Sequence, residues 1–245
     1  GKAGGIGSRF FLRREEMITR QQVKDPKRRI LIVCVQMFIE KGFKATTMLD
    51  IIREADVSSG TFQNIFHTKD GVLQTLIEFM FSNQFGMARG VFENIPDPVA
   101  VYAAETALQL AITELNENLR EIYVETYTQP CFSELLYRKT AAELEKIFGK
   151  YNPGWSSGDF YEAEIGSAGM MRGFMARPCD QYFTLARKTE MFLNLSLRAY
   201  RVPEEERAAA IAAVNSIDLV KTANGVMERL FSALEMTFDF KFTKK

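Results

Sequence analysis

Residues 46–69, TTMLDIIREADVSSGTFQNIFHTK, decide how the rest of the chain is read. Thr47 is placed to N-cap a short helix, and Asp50 stands three residues later, at the acid position of a capping box. Leu49, Ile52 and Ala55 are then expected on one helical face. Asp56-Val57-Ser58 breaks the period, and Ser58 or Ser59 caps a second short helix. Phe62 and Phe66, four residues apart, give that helix one apolar side. Its other side carries Ser59, Thr61, Gln63, Asn64 and His67, all small or planar hydrogen-bonding groups. Such a helix suits insertion into a DNA major groove. An ordinary surface helical hairpin satisfies the same spacing.

The flanks supply packing partners. Asp25-Pro26 opens a helix, with Asp as N-cap and Pro at the first helical position. Gly42 closes it as the residue beyond the C-cap. Between them Ile30, Val33, Cys34, Met37 and Phe38 follow the spacing of a core-facing stripe. A fourth helix is expected from Thr68 or Lys69, with Val72, Leu73, Leu76, Ile77 and Met80 inward, running on through Phe81 and Phe85 towards Arg89. Residues 1–24 read as a Gly-rich leader followed by a basic arm or short helix.

From Gly42-Phe43 through Thr47, Ile51, Ala55, Val57, Gly60, Phe66 and Lys69 to Leu73, the register resembles, without a gap, the DNA-binding domain of the tetracycline-repressor (TetR) family. The resemblance covers residues 27–73. It implies an all-α protein with a three-helix helix-turn-helix head and a helical body that dimerises and holds an effector. The division expected is 25–90 for the head and 91–245 for the body. The family usually represses transcription until a small molecule releases it from a near-palindromic operator. Carried over by position, Thr47 implies a helix cap that touches a phosphate. Ser58, Ser59, Gly60 and Thr61 imply the entry to the recognition helix. Phe62 implies a packing position, and Lys69 a lysine aimed at a phosphate. Gln63, Asn64 and His67 complete the candidate DNA-binding set. The chain departs from the family at Gln63, where an aromatic residue, most often Tyr, is usual. Gln and Asn can read adenine edges bidentately, so the departure implies either altered specificity or weaker binding.

In the body, helices are expected over 99–119, 121–128 and 132–150, then 159–177 and 181–201, then one or two more between 203 and 238. The ending FDFKFTKK reads as an irregular tail or a short strand. Gly166, Ala168, Gly169 and Gly173 weaken helix propensity but allow close approach of helices. They suit either a two-fold bundle with residues 181–201 or bulky neighbours within one subunit. Tyr102, Tyr123, Tyr127, Phe132, Met170 and Phe174 are candidates for lining an effector cavity, with Arg172 facing an anionic group. An apolar or amphipathic ligand follows from that set. Trp155, in a Gly/Pro/Ser-rich loop, is a lid or a loop anchor.

Composition narrows the alternatives. The 245 residues are 47% hydrophobic with zero formal net charge. Residues 1–70 carry 13 Lys and Arg against 8 Asp and Glu, and the remainder 18 against 23, a basic front on an acidic back. Three separated cysteines show neither a disulfide framework nor metal spacing, which favours a reducing, cytoplasmic setting. With one histidine, no phosphate loop and no nucleophile motif, an enzyme is disfavoured, and no cofactor, metal or membrane span is expected. The competing reading is a TetR-like adaptor that binds a protein partner and no longer reads DNA.

Overall fold

The computed structural model describes residues 25–79 and 97–237, with side chains as far as 229. The leader and basic arm, the continuation past residue 79, most of the expected loop at 93–98 and the FDFKFTKK ending lie outside the described residues. Every described element is helical, and no strand occurs among them.

The head is built from α1 (Pro26–Glu40), α2 (Met48–Glu54), α3 (Ser59–Phe66) and α4 (residues 69–79). Asp25 caps α1 by accepting a hydrogen bond from the Lys27 amide, and Pro26 takes the first helical position. Gly42 ends α1 with φ +90°, a conformation that Gly adopts without a Cβ penalty. Ile30, Leu31, Cys34 and Phe38 are fully enclosed. They meet Ile51 and Ala55 of α2, Phe62 and Phe66 of α3, and Val72, Leu73, Leu76 and Ile77 of α4 in one core. Phe43 folds back edge-on against Phe38, ring centres 5.2 Å apart. One expectation fails: Leu49 is 75% exposed. The seven-residue α2 buries the i, i+4 pair Ile51 and Ala55 and leaves Ile52 half-buried, so its inner face is rotated from the one the spacing suggested.

The body contains α5 (Pro98–Leu115), α6 (Glu117–Thr126), α7 (Pro130–Phe148), α8 (Ser157–Ala176), α9 (Leu185–Ala199), α10 (Glu204–Asn215) and α11 (Leu219–Thr237). Helix α5 is the axle. It is buried on nearly every side and packs against α6 to α11. Asp97 caps it by accepting from the Val99 and Ala100 amides. The break after α5 comes at Asn116, ahead of the expected position. Its extended backbone ends one helix while its side chain caps the next, accepting from the Asn118 and Leu119 amides. A capping box of Ser156 and Asp159 starts α8. Trp155 is a loop anchor, packed on Phe160 and under the Arg201 guanidinium. No described helix is long and apolar enough to cross a membrane.

Head and body meet along α6. The Asn118 side-chain amide donates to the Ile39 carbonyl at 2.8 Å, and the Lys44 amide donates to Glu121 at 3.4 Å. The Lys44 ammonium stands 3.7 Å from the Glu125 carboxylate. A Cβ at Gly42 would fall 2.7 Å from Glu121 Oε2 and 2.9 Å from Asn118 Oδ1. Glycine is therefore needed there twice, for its backbone angle and for the close approach of α6.

Candidate functional site

The head presents α3 through local capping. Thr47 Oγ1 accepts from the Asp50 amide at 3.1 Å and donates its hydroxyl proton to Asp50 Oδ2 at 2.7 Å. That hydrogen bond, with Arg53 nearby, holds the Asp50 carboxyl below its ordinary range. Asp56 makes the turn with φ +50°, a left-handed conformation that Asp tolerates. Its carbonyl accepts from Arg29 Nη2 at 2.9 Å, which ties the turn to α1. Of the two serines considered as caps, Ser58 is the one used. It accepts from the Thr61 amide at 3.0 Å, and its hydroxyl lies 2.8 Å from that of Thr61.

Phe62 and Phe66 are buried, and Ser59, Gly60, Gln63, Asn64 and His67 all lie exposed on the opposite side of α3. Thr61 is half-buried, its hydroxyl held by Ser58. His67 follows the last turn with φ +61°. The Lys69 ammonium, expected to aim at a phosphate, has other work. It donates to the carbonyls of Phe43 at 2.7 Å and Thr46 at 2.9 Å and lies over the Phe43 ring. Two of its three donors thus hold the loop between α1 and α2 against α4. Beside it, a Cβ at Gly71 would lie 2.2 Å from the Phe66 carbonyl, so α4 passes the end of α3 in direct backbone contact.

In the body a cavity opens between α5, the end of α6, α7, α8 and α9. Tyr102 and Tyr127, two of the expected residues, line it. The others do not. Tyr123 and Phe132 are core side chains, Met170 is half-buried outside the lining, and Arg172 is exposed on the outer face of α8. Phe174 packs behind the cavity, edge-on against the lining residue Phe192. The helical period explains the correction. The side of α8 that turns inward carries Glu164, Ser167, Ala168 and Met171, whereas Arg172 points away.

Polar lining groups are the main feature that the sequence did not disclose. Glu105, Thr106 and Gln109 come from α5, Thr140 and Glu143 from α7, and Glu164 and Ser167 from α8. The Tyr127 hydroxyl donates to Gln109 Oε1 at 2.9 Å, and the Tyr102 hydroxyl to Ser196 at 3.2 Å. Burial pushes Tyr102 up to about 12 and raises Tyr127 as well, so both hydroxyls keep their protons. Glu164, 6% exposed, accepts from the Tyr200 hydroxyl at 3.3 Å, and burial pushes its carboxyl up to about 8. An acidic residue at one position of a gapped small-residue helix gives no sign from spacing that it turns inward.

The exposed side of α8 is distinct. A Cβ built at Gly166, Gly169 or Gly173 meets nothing within 4 Å. These glycines make no room for neighbours within the subunit. Ile165 beside them, and Met191 and Leu195 on α9, are all more than 40% exposed. Among the described residues no cluster of His, Cys, Asp or Glu is arranged to hold a metal ion.

The head therefore defines a helix-turn-helix protein with an all-helical body. Residues 30–76, the helix-turn-helix head, match the family described as "Bacterial regulatory proteins, tetR family". Two similar proteins of Bacillus subtilis (strain 168) are named as uncharacterized HTH-type transcriptional regulators. YerO is 28% identical over 99 residues, 40% of this chain and 33% of the relative. YvkB is 32% identical over 62 residues, 25% of this chain and 33% of the relative. The chain thus spans about a third of the length of these relatives. The crystal structure of RolR in complex with resorcinol shares the fold. Its TM-score is 0.58 at 16% identity, over 80% of this chain and 94% of that one.

Proposed function

We propose that the chain is a homodimeric transcriptional repressor that holds a near-palindromic DNA operator through α3 and releases it when a small molecule fills the body cavity. The reading divides the chain into a DNA-binding head, 25–90, and an effector-binding and dimerising body, 91–245, working in the cytoplasm. The observation that carries it is the exposed polar face of α3, fixed by the Ser58 cap and the Arg29–Asp56 tie. In this reading Gln63 and Asn64 meet base edges, while Ser59, Gly60 and His67 flank them on the backbone. Thr47 and Ser58 act first as caps, with Thr61 bonded to Ser58, and a phosphate is met when one of these hydroxyls turns its proton to the DNA side. Lys69 keeps the head in shape and offers its third proton to a phosphate.

The open glycine face of α8 and the exposed apolar residues of α9 support a two-fold helical bundle. That bundle sets the two α3 helices about one DNA turn, ~34 Å, apart. RolR binds resorcinol in a crystal; a small-molecule effector in this chain rests on the cavity and on that likeness of fold. Helix α6 supports a link between the two sites. Its first turns hold Ile39 and Lys44 of the head, and its C-cap is the cavity residue Tyr127. A ligand that prefers a displaced α6 lowers DNA affinity by its differential binding.

Selection from a random duplex pool tests the reading. Enrichment of paired half-sites about 10 base pairs apart, with salt-sensitive affinity, is the expected result. Gln63→Ala and Asn64→Ala should each weaken the selected site by about 1–3 kcal/mol and relax the sequence at one position. No enrichment over bulk duplex would overturn it. The exposed Leu49, an apolar side chain on the outer side of α2, favours the protein-adaptor reading, which expects that negative result.

A further inference from the structure

The charge of the cavity carries the functional reading further, to the chemical class of the ligand, and rests on that cavity being the effector site. Three carboxylates line it, Glu105, Glu143 and Glu164, and the described lining holds no Lys, Arg or His. Glu164 decides the matter. It comes from the middle of α8, is nearly fully buried, and its hydrogen-bond partner is the neutral hydroxyl of Tyr200. A second, half-buried carboxylate in the same body is treated differently. Glu114 meets the fully buried Lys188 ammonium at 2.5 Å and the Arg120 guanidinium at 3.0 Å, and accepts from the Cys179 amide. A carboxylate removed from water is either neutral or matched by a cation. Glu114 has its cations within the fold, whereas the groups facing Glu164 leave that role open on the cavity side. Around Glu164 the lining is apolar: Leu136 and Leu144 on α7, Ala168 and Met171 on α8, Phe192 on α9.

We propose that the cavity takes an amphipathic amine, its ammonium paired with the Glu164 carboxylate and its apolar body lying against Leu136, Met171 and Phe192. The face of an aromatic ring such as Phe192, the negative side of its quadrupole, favours a nearby cation. Before binding, the Glu164 carboxyl is largely protonated at pH 7, because burial raises it to about 8. The amine arrives already protonated, so pairing sends the Glu164 proton to solvent.

Calorimetric titration of the full chain at pH 7 tests this. The probes are arylalkylamines of graded size, from 2-phenylethylamine upwards, each matched by the alcohol of the same skeleton. The amines should bind at least tenfold tighter than their alcohols. Repeats in buffers of different ionisation enthalpy should show about one proton released per site. Glu164→Gln should erase the amine preference, and Glu164→Asp should keep part of it. If the Gln variant fails to fold, proton release in the unaltered protein and the Asp variant decide the question. Alcohols binding as tightly as amines, or amine binding without proton release, would overturn the cationic class. If that neutral binding is lost on Ala168→Trp, the effector cavity itself stands. No binding by either series would overturn both.

Discussion

The head and the body handle polar groups in opposite ways. In the head, apart from the Arg29 and Lys69 ties to loop carbonyls, the polar side chains of α2 and α3 stay near the surface and are satisfied three residues away: Thr47 by Asp50, Ser58 by Thr61, Asp50 by Arg53. In the body, charge is carried inside and matched across long stretches of chain. Glu114 on α5 finds Lys188 on α9, and Glu164 on α8 meets Tyr200 beyond the end of α9. A surface built from one contiguous segment can change its reading residues without disturbing its core. An interior built from distant helices ties its ionisable groups to the packing of the whole body.

The largest expected effect breaks the body's internal match. Glu114→Ala leaves the fully enclosed Lys188 without its carboxylate, and such single removals cost about 3–5 kcal/mol. Urea unfolding followed by circular dichroism reads the loss. A loss below about 1 kcal/mol would mean that water reaches the pair and that the contrast with the head is overstated. The head's counterpart is Gly71→Ala. The added methyl would meet the Phe66 carbonyl at 2.2 Å, and overpacking of this kind costs about 1–3 kcal/mol. Hydrogen exchange should show faster exchange in α3 and α4 while α5 keeps its protection.

Glu164 sharpens the comparison through pH. Its folded carboxyl titrates near 8 against an ordinary value of 4.5. Between those values the native state holds more protons than the unfolded state, so stability falls as pH rises through that window and the deficit is complete above it. Glu164→Gln removes the titrating group. Its stability relative to the unaltered protein should match near pH 4 and rise to a gain of up to about 5 kcal/mol by pH 9. A gain independent of pH would show that packing, not charge, makes the difference.

The two regions were also unequally legible in the sequence. The head announces itself because caps, turn and apolar pairs act over three or four residues. Asp25, Thr47 and Ser58 stand at the caps their positions predicted, and Gly42 has the positive φ expected of it. Leu49 was misplaced because a seven-residue helix is too short for its apolar spacing to choose between adjacent faces. The loop contacts of Lys69 were not legible because a lysine's partners lie wherever its four-carbon stem reaches, here the loop 23–26 residues earlier. In the cavity only Tyr102 and Tyr127 were anticipated. Aromatic content suggests an apolar interior, but the rotation of α8 is set by its contacts with α6, α7 and α9. That rotation sends Arg172 outward and Glu164 inward, and no local pattern records it.

The smallest effects lie at the junction between the two regions. The Lys44–Glu125 pair spans 3.7 Å, and its lysine is 70% exposed. Exposed pairs of this kind are worth about 0–1 kcal/mol because water and salt screen them. The Asn118 amide, half-buried and bonded to the Ile39 carbonyl, holds a group that would otherwise lose its partner, at about 1 kcal/mol. Lys44→Ala should therefore leave both stability and head-to-body coupling nearly unchanged, whereas Asn118→Ala should loosen α6 from α1. The readout is hydrogen exchange at the last turn of α1, compared in the two variants at low and high salt. If Lys44→Ala opens that turn as much as Asn118→Ala does, and only at low salt, the junction belongs with the surface electrostatics of the head. If the order is as stated and salt is without effect, the junction is an extension of the body's packed interior, and α6 carries a change in the cavity to the head by contact instead of by charge.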